Sequence, residues 1–290
     1  MAITKKKSAR PARVEVQSAT TLADLPWLVH GFSTRPGGVS TAYGVKSLNL
    51  GFTRDDPRRN VERNRELFLR ALQVDFPIVT SRQIHSDIVN VVDAAPSGPL
   101  AGDALVTATP GLLLAVKTAD CTPVLLVDAK KKVVAAVHAG WRSTAQRIVE
   151  KTVGVMRQRF GSRPGDLRAA IGPGIRQCCY EVGEEVRDRF RSQFAYADEL
   201  FREAKESDPV REKYPMLFLT ARAPGHADLG RQIFLDLAEA ARRQLLDAGL
   251  PAKHISALDA CTACHPELYF SHRAQHGRTG RMLGTIGIRK

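Results

Sequence analysis

The sequence predicts an α+β fold, a sandwich of strands and helices rather than a doubly wound parallel sheet. Three observations lead there. Residues 111–138 carry three strand-sized apolar runs, and the turn DAKKK joins the last two into a hairpin. Segments near 56–73, 142–160 and 231–248 repeat apolar residues at helical spacing. The two kinds of segment do not alternate as a βαβ sheet requires.

Residues 24–34, DLPWLVHGFST, read as the first strand, with RPGGVS as the turn behind it. In 56–73, Val61, Leu67, Phe68 and Ala71 are spaced for an amphipathic helix. PIVTSRQIHSDIVNVVD alternates apolar with polar, as a strand with one wet face does. Strands follow at 111–117, 123–128 and 133–138. Ala145, Ile148, Val149, Thr152, Val153, Met156 and Phe160 then mark one long helix, ended by Gly161 and Pro164. A strand LRAAIG, a glycine turn PGI and a helix near 183–194 come next. Residues 195–230 are polar and irregular, a final helix covers about 231–248, and a strand near 254–259 leads to CTACH.

The 290 residues carry a net charge of +13 and are 43% hydrophobic, the profile of a globular protein able to bury a large core. No apolar run approaches the length of a membrane span, so none is expected. The basic start MAITKKKSARPARVEV has no apolar stretch behind it and does not read as a secretory signal. Residues 1–18 are expected to form a basic flexible tail, and 19–290 a single catalytic domain. Lys5, Lys6, Lys7, Arg10 and Arg13 supply five positive charges, which leaves about +8 for the rest. That balance suits a phosphate-containing or other anionic ligand. No nucleic-acid motif accompanies it and aromatics are 6%, so a nucleic-acid partner is not expected. Five cysteines, an odd count with no export signal, point to free thiols and a cytoplasmic location.

Three soft-metal ligands sit where strand ends are expected: His85 in QIHSD, Cys121 in TADCTP and His138 in VHAGW. Gaps of 36 and 17 residues exclude a compact zinc finger. Three ligands from separate elements fit a catalytic zinc with an open position, and a His2Cys set also binds copper. Each residue alone also suits a structural role. A non-catalytic basic binding protein using the tail is the alternative from another class.

The chain resembles the laccase-domain, multicopper-polyphenol-oxidase-like family, whose members are also described as purine nucleoside phosphorylases. The likeness runs from about residue 28 to 288. It rests on GFSTRPGGVS, LNLGF, RNRELF, QIHSDIV, GDALVT, TADCTPVLLVD, VAAVHAGWRST, AIGPGI, CCYEVG, LDL, and CT with a later TGR. The resemblance implies a four-layer α/β/β/α sandwich with mixed sheets, related to the catalytic domains of deamidase toxins. It implies His85, Cys121 and His138 as catalytic metal ligands. It implies zinc-dependent phosphorolysis of adenosine, inosine and methylthioadenosine, with adenosine deamination as a second activity. Copper-dependent phenol oxidation is the runner-up. A metal-free hydrolase or deamidase, with Cys121 as nucleophile and His138 as base, is a third reading.

Phosphorolysis needs a cationic pocket that sets phosphate against C1′ of the sugar. Arg35, and Arg142 before a helix opened by Ser143 and Thr144, are the candidates; that helix N-terminus is itself a candidate anion site. Asn49 is the candidate for the ribose hydroxyls. Asp120 and Asp87 are candidates to orient a ligand histidine or carry a proton. CTACH has the spacing of a c-type haem attachment, but Cys264 and His265 read as local variants beside the family's CT, so no haem is expected. Where relatives carry S-Y-R-R, this chain has SHRAQHG at 271–277, a departure that bears on specificity.

Overall fold

The computed structural model describes residues 13–98, 100–205 and 231–290. In chain order the strands are β1 Val16–Gln17, β2 Leu28–Ser33, β3 Ile78–Val79, β4 Val89–Val91, β5 Ala104–Thr107, β6 Leu113–Thr118, β7 Thr122–Asp128 and β8 Val133–Ala139. They continue with β9 Leu167–Ile171, β10 Glu181–Val182, β11 Phe201–Lys205, β12 Arg231–Leu235, β13 Ile255–Ala257 and β14 Met282–Ile288. The helices are α1 Arg58–Leu72, α2 Trp141–Ala145, α3 Ile148–Phe160, α4 Glu184–Arg191 and α5 Leu237–Asp247.

Two mixed sheets lie face to face. One has the order β1-β2-β14-β6-β3 and the other β13-β9-β7-β8-β5-β4. β7 and β8 are buried along their whole length, and both faces of the hairpin are used. Val124, Leu126, Ala135 and Val137 point one way, against Val149, Val153 and Met156 of α3 and Ala241 and Leu245 of α5. Leu125, Val127, Val134 and Ala136 point the other way, against Leu114, Val116 and Ile286 of the first sheet. That is the period-two alternation of a strand, with both faces apolar because both are covered. On the far side of the first sheet, Phe68 and Leu72 of α1 meet Val29, Leu113, Ala115 and Leu283. The four layers run α1, sheet, sheet, α3 with α5, in mixed α+β order. A small third sheet, β10-β12-β11, lies outside them.

Several elements depart from the expectations above. Residues 77–93 are not one strand: β3 and β4 flank a loop in which His85 takes a left-handed φ of 56°. The expected helix from 142 to 160 begins at Trp141 and is broken in two by Arg147, at φ 63°. The Arg147 guanidinium holds that turn from the C-terminal side, reaching Glu150 at 2.9 and 3.1 Å and the Gln193 carbonyl. Residues 231–235 form β12, paired with β10 and β11, and α5 starts only where Asp236 caps it by accepting the Glu239 N–H at 2.9 Å. Gly161 ends α3 as expected, at φ 65°, with its N–H on the Arg157 carbonyl at 2.9 Å. Most of the expected tail, and residues 206–230 of the irregular region, lie outside the described residues. The end of that tail is not loose, because Val16 and Gln17 pair with Ser33 and Phe32. Among the described residues no helix is long and apolar enough to cross a membrane.

His30 on β2 ties the chain before this strand to the sheet. Its Nε2 accepts the Ala19 N–H at 3.1 Å, which requires an unprotonated nitrogen. Burial lowers its pKa below the ordinary histidine value of 6.5. Because the folded pKa is the lower one, this contribution is complete above the unfolded pKa and is lost as pH falls through and below it. His30→Gln keeps an acceptor without the titration. Thermal melts of both proteins at falling pH should show the wild type losing Tm faster than the variant below about pH 6.5.

Candidate active site

The site is organised by a carboxylate that the sequence reading passed over. Asp103, at the head of β5, is fully buried. Its oxygens accept the backbone N–H groups of Ile84 (3.2 Å), His85 (3.1 Å) and Ser86 (2.7 Å), and the Ser86 hydroxyl at 2.8 Å. The same carboxylate meets His138 Nδ1 at 2.9 Å. Burial pushes its pKa up, but the bonds from His138 and Ser86 outweigh this and hold it at about 2. A permanent anion thus gathers three consecutive amides, which is why the 84–86 loop curls instead of continuing as strand.

β8 carries His138 to the end of the second sheet, opposite Pro123. Cys121 is the residue just before β7. With Nδ1 of His138 held by Asp103, its Nε2 is the nitrogen free to face the site. His85 Nε2 lies 3.8 Å from Cys121 Sγ, and the His85 and His138 ring centroids are 5.0 Å apart. One ligand atom from each of the three residues falls within 4.8 Å of the others. Gly140 makes this approach possible: a Cβ there would stand 2.7 Å from His85 Cδ2 and 3.1 Å from the Cys121 sulfur. Burial raises the Cys121 thiol, but the charge and hydrogen bond of His138 prevail and bring it down to about 6. Burial lowers His138, yet the Cys121 charge and the Asp103 bond lift it to about 9. Without an ion the pair is poised as thiolate and imidazolium, and an ion bound here would displace the imidazolium proton. This donor set of two imidazoles and a thiolate fits a borderline-soft divalent ion with an open position.

The three residues open onto a cavity of about 860 Å³. Its lining includes Arg54, Lys117, Arg142, Arg273 and Arg281 against only two carboxylates, Asp55 and Asp120. Both carboxylates are engaged elsewhere. Asp55 pairs with Arg278 at 3.2 Å, and Asp120 accepts the Thr262 hydroxyl and the Arg273 N–H, each at 2.7 Å. Arg142 stacks over the Trp141 ring at 4.3 Å and forms no ion pair among the described residues. Phe52, Trp141 and Tyr180 give the cavity three aromatic rings. His272, where the chain departs from S-Y-R-R, also lines it.

The structure therefore brings together His85, Cys121, His138 and Arg142, and it does not bring in Arg35 or Asn49. Arg35 ties two loops, donating to the carbonyls of Pro266 at 2.6 Å and Tyr43 at 2.8 Å. Asn49 is fully buried: its amide donates to Asp56 at 2.7 Å and accepts the N–H groups of Gly51 (3.2 Å) and Arg281 (2.9 Å). Asp87 is on the surface in an ion pair with Lys151. Asp120 orients the Thr262 and Arg273 loops, not a ligand histidine. The helix-terminus anion site is not realised, because α2 is five residues long and Ser143 is spent on the Gly140 N–H at 3.0 Å. The sequence held signals for what was missed: Asp103 in GDALVT, Gly140 and Trp141 in HAGW, Tyr180 in CCYEVG and Arg281 in TGR.

Comparison with known proteins identifies the family of the chain. Residues 29–289 match the model of the family described as multi-copper polyphenol oxidoreductase laccase. Purine nucleoside phosphorylase of Deinococcus radiodurans is 40% identical over 263 residues, covering 89% of this chain and 88% of that protein. Purine nucleoside phosphorylase YlmD of Geobacillus stearothermophilus is 36% identical over 275 residues, 90% of each chain. Adenosine deaminase RL5, from an unknown prokaryotic organism, is 34% identical over 269 residues, 89% of this chain and 93% of that one. The crystal structure of YlmD from Geobacillus stearothermophilus superposes with a TM-score of 0.76 at 33% identity, over 98% of both chains. The chain belongs to the multi-copper polyphenol oxidoreductase laccase family.

Proposed function

We propose that this chain is a zinc-dependent purine nucleoside enzyme. It cleaves adenosine, inosine and methylthioadenosine with phosphate and deaminates adenosine at the same site. The observation that carries the reading is the convergence of His85, Cys121 and His138 at the floor of a cavity lined by cations and aromatic rings. The names of the relatives support the substrate class.

His85, Cys121 and His138 would hold the zinc, which when bound supplies Lewis acidity and lowers the pKa of water. The remaining work falls to the chain. Phe52, Trp141 and Tyr180 offer faces to a purine ring. Arg142, with Lys117 and Arg281 also in the lining, binds phosphate and screens its charge as a phosphate oxygen bonds to C1′ and the bond from C1′ to the base nitrogen breaks. Asp103 fixes the tautomer and direction of His138 and, through three amides, the position of His85.

Two further readings draw on particular observations. The name of the matched family favours copper at the same three ligands and slow phenol oxidation. The lowered Cys121 thiol beside His138 favours a metal-free cysteine hydrolase or deamidase. Chelation separates this last reading from the other two, because it would spare only a cysteine hydrolase.

The deciding assay is chromatography of adenosine incubated with zinc-loaded protein, with and without phosphate. Adenine and ribose 1-phosphate should appear only with phosphate, inosine should form in either case, and Cys121→Ala or chelation should abolish both. Phenol oxidation or protein deamidation in place of nucleoside turnover would overturn the proposal. Asp103→Asn should weaken zinc binding roughly 10–100-fold, read by competition against a chromogenic chelator. Arg142→Ala should raise the KM for phosphate by about 10–100-fold, the equivalent of one charge-assisted contact, while deamination without phosphate changes far less.

A further inference from the structure

Cys178, Cys179, Cys261 and Cys264 come from two segments more than 80 residues apart and meet in one place. Nothing in the nucleoside chemistry uses them. Their four sulfurs all lie within 4.8 Å of one another, with Cys179 to Cys264 at 3.3 Å and Cys178 to Cys264 at 3.6 Å. Those spacings are far beyond a disulfide bond, about 2.05 Å. They are close to the sulfur–sulfur edge of a tetrahedron with zinc–sulfur bonds of about 2.3 Å, which is about 3.8 Å. Bridged iron–sulfur clusters need a wider ring of thiolates than this.

We propose that these four cysteines form a second, structural metal site that holds one zinc ion as a tetrathiolate, separate from the His85–Cys121–His138 set. The local backbone is arranged as a thiolate site requires. The Cys261 sulfur, buried, receives the Arg176 N–H at 3.5 Å, and the amides of Ala263 and Cys264 also point at it. Amides aimed at one sulfur favour its charged form. Cys178 and Cys264 are exposed, which gives an ion a way in. His265, next to Cys264, is outside the set and faces Glu267 at 3.3 Å. The CxxCH that looks like a haem motif is half of this cluster plus a neighbour.

The position of the site gives it a purpose. Cys179 is followed directly by Tyr180, a wall of the cavity. Thr262, between the other two ligands, donates to Asp120, which in turn holds the Arg273 amide. The Gly174 to Cys261 bridge continues the β9–β13 pairing toward the cluster. A zinc here fastens the Tyr180 wall to the Thr262–Arg273 wall, closing a loop of about 80 residues, a constraint that acts largely by restricting the unfolded chain.

The test is metal content and spectroscopy of the full chain, purified without oxygen. The wild type should hold about two zinc ions, and His85→Ala and Cys264→Ser about one each. Cobalt loaded into His85→Ala should give the intense thiolate-to-metal absorption and visible bands of a tetrahedral tetrathiolate. This readout stands even where Cys264→Ser fails to fold. Chelation of His85→Ala should lower its Tm. One zinc in the wild type and none in His85→Ala would overturn the proposal. So would a metal-free cluster, with four thiols that titrate freely or a mass showing a disulfide. Iron bound in place of zinc would overturn the choice of metal. None of these readouts depends on nucleoside turnover, so failure here leaves the proposed activity untouched, and the reverse.

Discussion

The site rests on one buried negative charge. Asp103 has no solvent exposure and cannot be neutralised at ordinary pH, so every hydrogen it faces must point at it. It is satisfied by three successive amides, a hydroxyl and an imidazole. That requirement bends residues 84–86 out of strand geometry, puts His85 in the left-handed region, and sets which nitrogen of His138 faces the cavity. Losing the carboxylate would therefore leave orphaned amides at the site's base and cost far more than one hydrogen bond.

Electrostatics then divides the molecule's positive charge between two tasks. Around the cavity, Arg54, Lys117, Arg142, Arg273 and Arg281 outnumber carboxylates that are already committed, so the local field favours an anionic ligand. Elsewhere, some of the positive charge is paired with carboxylates. Arg147, Arg187, Arg242 and Arg243 each meet a glutamate, and Arg147 shapes the break between α2 and α3. The ionic contacts on exposed faces add little stability individually. Their value here is in fixing where the backbone turns.

The two clusters of soft ligands share the same supporting loops. Cys121 is flanked by Asp120, which anchors Thr262, and Thr262 lies between Cys261 and Cys264. The cavity wall, the His85–Cys121–His138 cluster and the four-cysteine cluster are thus linked through the hydrogen bonds of Asp120. The 271–277 strip, in which this chain departs from the family pattern, hangs from the same anchor through the Arg273 amide.

What the sequence determined by itself follows from local physics. The apolar runs of β6, β7 and β8, buried on both faces, could be read directly, as could α1 and the glycine stop of α3. His85, Cys121 and His138 in QIHSD, ADC and HAGW could be singled out as candidate soft-metal donors, and the fold brings the three side chains together. What local pattern could not show was decided by tertiary contact. β12 looked helical until its pairing with β10 and β11, and the strand 77–93 looked continuous until a carboxylate some 18 residues away from His85 reorganised it. Arg35 and Asn49 looked like ligand-binding groups because their side chains suit phosphate and ribose. The fold spends them on carbonyls and amides of its own loops. Cys178, Cys179, Cys261 and Cys264 carried no joint signal, because two pairs separated by more than 80 residues become one cluster only when the chain closes.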